Sequence, residues 1–109
     1  MLREWLDART PPPPPRLAQR MSEAVAECAG GGSPGAATSS IPELLTMAAA
    51  KLLERTTSRS ASSPARASAL DLLAADALLT YALEAAAEDC ATFVATPNEM
   101  IERLSAILV

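Results

Sequence analysis

Histidine is missing from all 109 residues, and lysine occurs once, as Lys51. Without an imidazole the chain lacks the side chain best suited to proton transfer near neutral pH. It also lacks a principal ligand of zinc and copper sites. Serines are plentiful, but only Lys51 could activate one, so nucleophilic catalysis is not expected. Cysteine is nearly as scarce: Cys28 and Cys90 are the only two. Two distant thiols make neither a disulfide framework nor a metal site. Free cysteine tends to be buried, which reads both as small apolar residues near helix ends, with a Cys28–Cys90 bridge as the alternative. The expectation is a protein without enzymatic activity, metal or cofactor.

Aromatic residues are almost absent, at three in the whole chain. Since alanine adds little apolar area, a core must come from leucine, with methionine and isoleucine in support. So much alanine suits close helix–helix approach. No segment alternates apolar and polar residues over a useful length, which excludes a sheet and predicts an all-α fold.

An uninterrupted apolar run is also lacking. Residues 69–87 approach the length of a membrane span, yet Asp71, Asp76 and Glu84 interrupt them. Each acid at a bilayer centre costs about 2.5–3.5 kcal/mol on insertion scales, so no transmembrane span is expected. The first residues, with Arg3, Glu4 and Asp7, do not make a secretory leader. A cytoplasmic protein follows as the expectation, with peripheral association at the cytoplasmic face of a membrane complex as a variant. Of the nine basic residues eight are arginine, scattered along a chain of net charge −4. Nothing matches the clustered basic footprint of a nucleic-acid-binding protein, and attraction to anionic lipid is weak. Arginine in place of lysine, with abundant alanine and proline, fits a GC-rich bacterial genome.

What is present is a series of helical segments. In residues 1–9, Leu2, Trp5 and Leu6 share one helical face. Such a short helix is unstable alone and must dock. Pro11 to Pro15 predict a polyproline II rod of about 15 Å, at roughly 3.1 Å per residue, holding that arm away from the rest. Residues 1–15 therefore read as a docking arm with its spacer, and 16–109 as a small antiparallel bundle of about four helices. Pro12 to Arg16 superficially resemble a proline-rich ligand, but a spacer is the expected role.

The first bundle helix spans about Arg16 to Ala29, with Leu17, Met21, Val25 and Cys28 as its stripe. The segment 30–39 reads as a Gly/Ser-rich loop; its glycines lack the ending and setting of a phosphate loop. Ser40 and Glu43 form a capping-box pattern for the second helix, with Pro42 in its first turn. Ile41, Leu45, Ala48 and Leu52 make its stripe, and residues 56–63 a polar loop. Ser63-Pro64 signals the start of the third helix, and Thr96 to Glu99 that of the last, whose face carries Met100, Leu104 and Ile107.

The third helix is apolar nearly all round. Such a helix is surrounded by others or covered by a partner. On its helical wheel Leu72, Asp76, Leu79 and Leu83 cluster together, with Tyr81 on the other side. Asp76 is then expected to be a buried carboxylate that fixes helix register, with Tyr81 as a second buried polar group. Asp71, Ala75, Leu78 and Ala82 make a smooth third face that suits either internal packing or a docked subunit.

The leading expectation is an interaction subunit that docks onto a larger protein assembly, or onto itself. Leu2, Trp5 and Leu6 would anchor it, and Leu78 would lie in the docking face. The alternative is a ligand-binding or regulatory bundle with a site for a cationic small molecule near Asp76 and Tyr81.

Overall fold

In a computed structural model of the chain, residues 2–30, 40–58, 65–88 and 95–108 are described. They form five helices: α1 (Leu2–Asp7), α2 (Pro15–Gly30), α3 (Ile41–Ser58), α4 (Ala65–Ala87) and α5 (Ala95–Leu108). No strand occurs among the described residues. The radius of gyration is 13.6 Å, against about 13 Å for a compact domain of roughly 100 residues.

Helix boundaries follow local chemistry. Proline closes no helix at its first position, because the missing N–H would have no partner there; Pro15 opens α2, and the Ala18 amide donates to the Pro14 carbonyl at 2.8 Å. The helix thus takes in a residue that the sequence assigned to the spacer. Ser40 caps α3 as expected: its Oγ accepts from the Glu43 amide at 3.3 Å, and its carbonyl from Leu44 at 3.0 Å. At its other end α3 runs to Ser58, three residues past the Arg55 boundary. The Thr56 hydroxyl donates to the Leu52 carbonyl, and those of Thr57 and Ser58 to Glu54. These hydroxyls bond back to carbonyls inside the helix and leave its backbone ladder in place, so a polar sequence continues the helix. α5 begins at Ala95, which places Thr96 inside the first turn and buries it. The expected cap at Ser63-Pro64, most of the two polar loops and Cys90 lie outside the described residues.

α3 and α4 form the central pair, with α2 packed on both and α5 mainly on α3. The pair meets through small residues: Ala48 and Ala49 from α3, and Ala74, Ala75 and Ala82 from α4, are almost wholly buried. Leu45, Leu52 and Leu78 fill the space that the alanines leave, and Met21, Ala24 and Cys28 of α2 close the cluster, as does Met100 of α5. α2 and α3 are not an ordinary antiparallel hairpin. In one, Glu27 would face the first turns of α3; instead it pairs with Arg55, near the end of that helix.

α1 lies on the bundle. Leu2, Trp5 and Leu6 pack, partly buried, against the core. The link Ala8–Pro14 is not helical. It brings the arm back onto its own protein, where the sequence led us to expect an arm held outward.

Candidate functional site

α4 carries two aspartates five residues apart, and the structure treats them oppositely. At about 100° per residue, five residues turn the helix by roughly 140°, so one side chain points inward when the other points out. Asp71 is the inward one, at 2% exposure. Arg20 of α2 donates to its Oδ1 from Nε at 2.6 Å, and from Nη1 to Glu23 at 3.2 Å. The bond to Asp71 is the largest reason why the Arg20 guanidinium holds its proton more firmly than usual; burial works against it.

Asp76 is exposed, so the expected buried register carboxylate is Asp71 instead. The face that turned inward is the smooth one, Asp71, Ala75, Leu78 and Ala82. Leu78 is correspondingly wholly buried and closed to a partner. Leu72, Leu73 and Leu83 face solvent at 46%, 58% and 43% exposure, with Leu79 partly buried beside them. The outer side of α4 thus carries three exposed leucines with Asp76 among them, and Thr80 and Glu84 exposed beside them. The Asp76 side chain has no ion-pair or hydrogen-bond partner among the described residues, although its backbone carbonyl accepts from Thr80 at 3.0 Å. On α5, Ile101 and Leu108 are also exposed.

A second cluster surrounds Trp5. Its indole Nε1 donates to Glu88 Oε2 at 3.0 Å, just beyond the end of α4. Arg9 stacks its guanidinium 3.8 Å above the centroid of the Trp5 ring and pairs with Glu88 Oε1 at 3.3 Å. Tyr81 meets Trp5 edge to face at 6.3 Å. Tyr81 is therefore partly buried, against an aromatic ring of the arm. The donors on Glu88, Trp5 first, hold its carboxyl below its ordinary range. Sequence reasoning missed this cluster, and only the shared aromaticity of Trp5 and Tyr81 hinted at it.

Two hollows flank Tyr81. One, of about 440 Å³, is lined by Arg9, Pro11, Thr80, Tyr81 and Glu84 among others; a smaller one, of about 150 Å³, lies under Leu6, Pro12 and Pro13 beside Met21. Asp76 lines neither. Cys28 sits in the core, where burial pushes its thiol pKa up. Among the described residues no group of three acidic or cysteine side chains could hold a metal ion, and no helix is long and apolar enough to cross a membrane.

No family model, curated protein or solved structure matches the chain.

Proposed function

We propose that this protein is a non-enzymatic interaction subunit that docks onto a larger protein assembly through the outer face of α4. One observation carries the reading: three large leucines stand exposed on the same helix whose opposite face builds the core. Surface helices ordinarily turn polar residues outward. Exposed leucines at helical spacing mark a surface that another apolar surface covers. The arm plays a different part from the one its sequence implied: Leu2, Trp5 and Leu6 steady the α4 end of the subunit, and the docking residues are Leu72, Leu73 and Leu83. An extrinsic accessory component of a bacterial membrane complex, at its cytoplasmic face, is one specific form that this role could take.

The test compares the wild-type chain with Leu73→Glu/Leu83→Glu. Both sites are exposed, so circular dichroism and the thermal midpoint should be unchanged. A stoichiometric complex purified from the native cell with the wild type should disappear with the double variant. A complex that survives both substitutions removes this face from the function.

A second reading rests on the 440 Å³ hollow beside Tyr81. Glu84 would receive the cationic group of a small ligand there, in place of Asp76. Arg9 opposes such a ligand, though it is already engaged by Glu88 and the Trp5 ring. Thermal stabilisation by small organic amines, lost in Glu84→Gln, would favour this reading over docking.

A further inference from the structure

We infer that the occupant of the α4 outer face is a partner helix that presents apolar side chains together with one arginine or lysine, set to meet Asp76. This rests on the reading that the face is a protein-docking surface, and it adds the chemistry of what docks.

Asp76 lies within the leucine surface, one turn from Leu72, Leu73 and Leu79 and two turns from Leu83. A partner that covers these leucines takes the carboxylate out of water with them. A desolvated carboxylate is strongly unfavourable unless a cation or several donors meet it. Among the described residues nothing meets it: the Asp76 side chain has no ion-pair or hydrogen-bond partner there.

The same helix already shows how such a site is completed. On its inner face α4 buries Asp71 at 2% exposure, and α2 answers it with Arg20 at 2.6 Å. Around Arg20, Leu17, Met21 and Ala24 of α2 supply the apolar contacts. The outer face offers the same kind of group, an aspartate among apolar side chains, but with leucines where the inner face has mostly alanines and with no answering cation among the described residues. A helix built like α2 is its complement.

A second copy of α4 is a poor occupant. The stripe from Leu72 to Leu83 is centred between residues 77 and 78. Antiparallel self-pairing about that centre would set the two Asp76 side chains about 4.5 Å apart along the axis, at roughly 1.5 Å per residue. Parallel pairing would set them side by side. Either way two like charges would share one desolvated seam. A membrane surface is disfavoured by the same carboxylate, which would enter it unpaired.

The experiment selects binders from a displayed library of helical peptides with one randomised face, using the full-length chain as bait. Peptides that also bind Leu73→Glu/Leu83→Glu are removed. Asp76 is exposed, so Asp76→Lys keeps the fold, which circular dichroism verifies, and it serves as the second bait. The wild type should enrich faces that combine leucine-like residues with arginine or lysine. Asp76→Lys should enrich aspartate or glutamate at the same position, with about tenfold preference for the complementary charge in each case. Apolar binders with no charge bias on either bait would overturn the inference and leave the docking face standing. Failure to enrich anything specific to the leucines would overturn both. A wild-type dimer in light scattering that Leu83→Glu disperses would assign the face to a second copy. Flotation with phosphatidylcholine vesicles that the same substitution abolishes would assign it to lipid. Either result would overturn the partner helix.

Discussion

The inner and outer faces of α4 differ in a way that residue hydrophobicity does not foretell. Four alanines and Leu78 line the inner face at or below 1% exposure, while three leucines stand at 43–58% on the outer one. The larger apolar side chains are outside. Packing geometry explains the inversion. α3 presents Ala48 and Ala49 to α4, and the two small-residue surfaces let these helices pack together more extensively than any other pair. A leucine face would hold the helices apart. The inner face therefore serves close approach, and the leucines are left for something outside the fold.

The comparison is most easily broken at its two aspartates. Arg20→Met takes the cation away from the buried Asp71 carboxylate and should lower unfolding free energy by about 3–5 kcal/mol in urea titrations. Arg20→Met/Asp71→Leu should recover much of that loss, since an apolar pair replaces a buried ion pair at little net cost. Asp76→Leu, by contrast, should stay within about 0.5 kcal/mol of wild type. Equal effects at the two positions would contradict the assignment of inner and outer faces.

Volume gives the next largest effect. Ala75→Leu and Ala82→Leu overfill the seam and should each cost about 1–3 kcal/mol, read as a lowered thermal midpoint. Ala69→Leu, at an exposed site on the outer side, should leave the midpoint unchanged.

The arm should yield a smaller change. Trp5→Ala removes a half-buried ring with its edge-to-face and cation–π contacts, and about 1 kcal/mol of stability should go with it. Because the folded Glu88 carboxyl is more acidic than the unfolded one, its contribution is present above the unfolded pKa and fades as pH falls through the folded value. Emission from Trp5 should therefore shift on acidification with a midpoint below the usual glutamate range. Glu88→Gln should remove that transition.

Least in energy, but sharpest as a contrast, is thiol chemistry. In a Cys90→Ser background, burial and the raised pKa should keep Cys28 unreactive toward a disulfide reagent at neutral pH until the protein unfolds. Thr80→Cys, on the exposed side of α4, should react immediately.

The fold was legible wherever local rules decide it. The stripe of α2, the Ser40 cap and the helical periods of α3 and α5 are properties of a few neighbouring residues. The wheel of α4 also put Asp71, Ala75, Leu78 and Ala82 on one face, as the structure does. Which group turns inward was not legible, because that depends on the small residues of α3. Nor was the exchange of roles between Asp71 and Asp76, because Arg20 is 51 residues from Asp71 in the chain. The arm misled for a related reason. A proline run predicts stiffness but not direction, and Trp5 finds its partners 76 and 83 residues away, at Tyr81 and Glu88.

The alanine seam also shapes how stability responds to temperature. Among the described residues, nine of the sixteen buried apolar ones are alanine. Unfolding such a core hydrates less apolar surface per residue than a leucine core would, so the accompanying rise in heat capacity is small. A small heat-capacity change flattens the curve of free energy against temperature. The protein should thus trade a high maximum for a broad plateau, losing little of its modest stability on cooling.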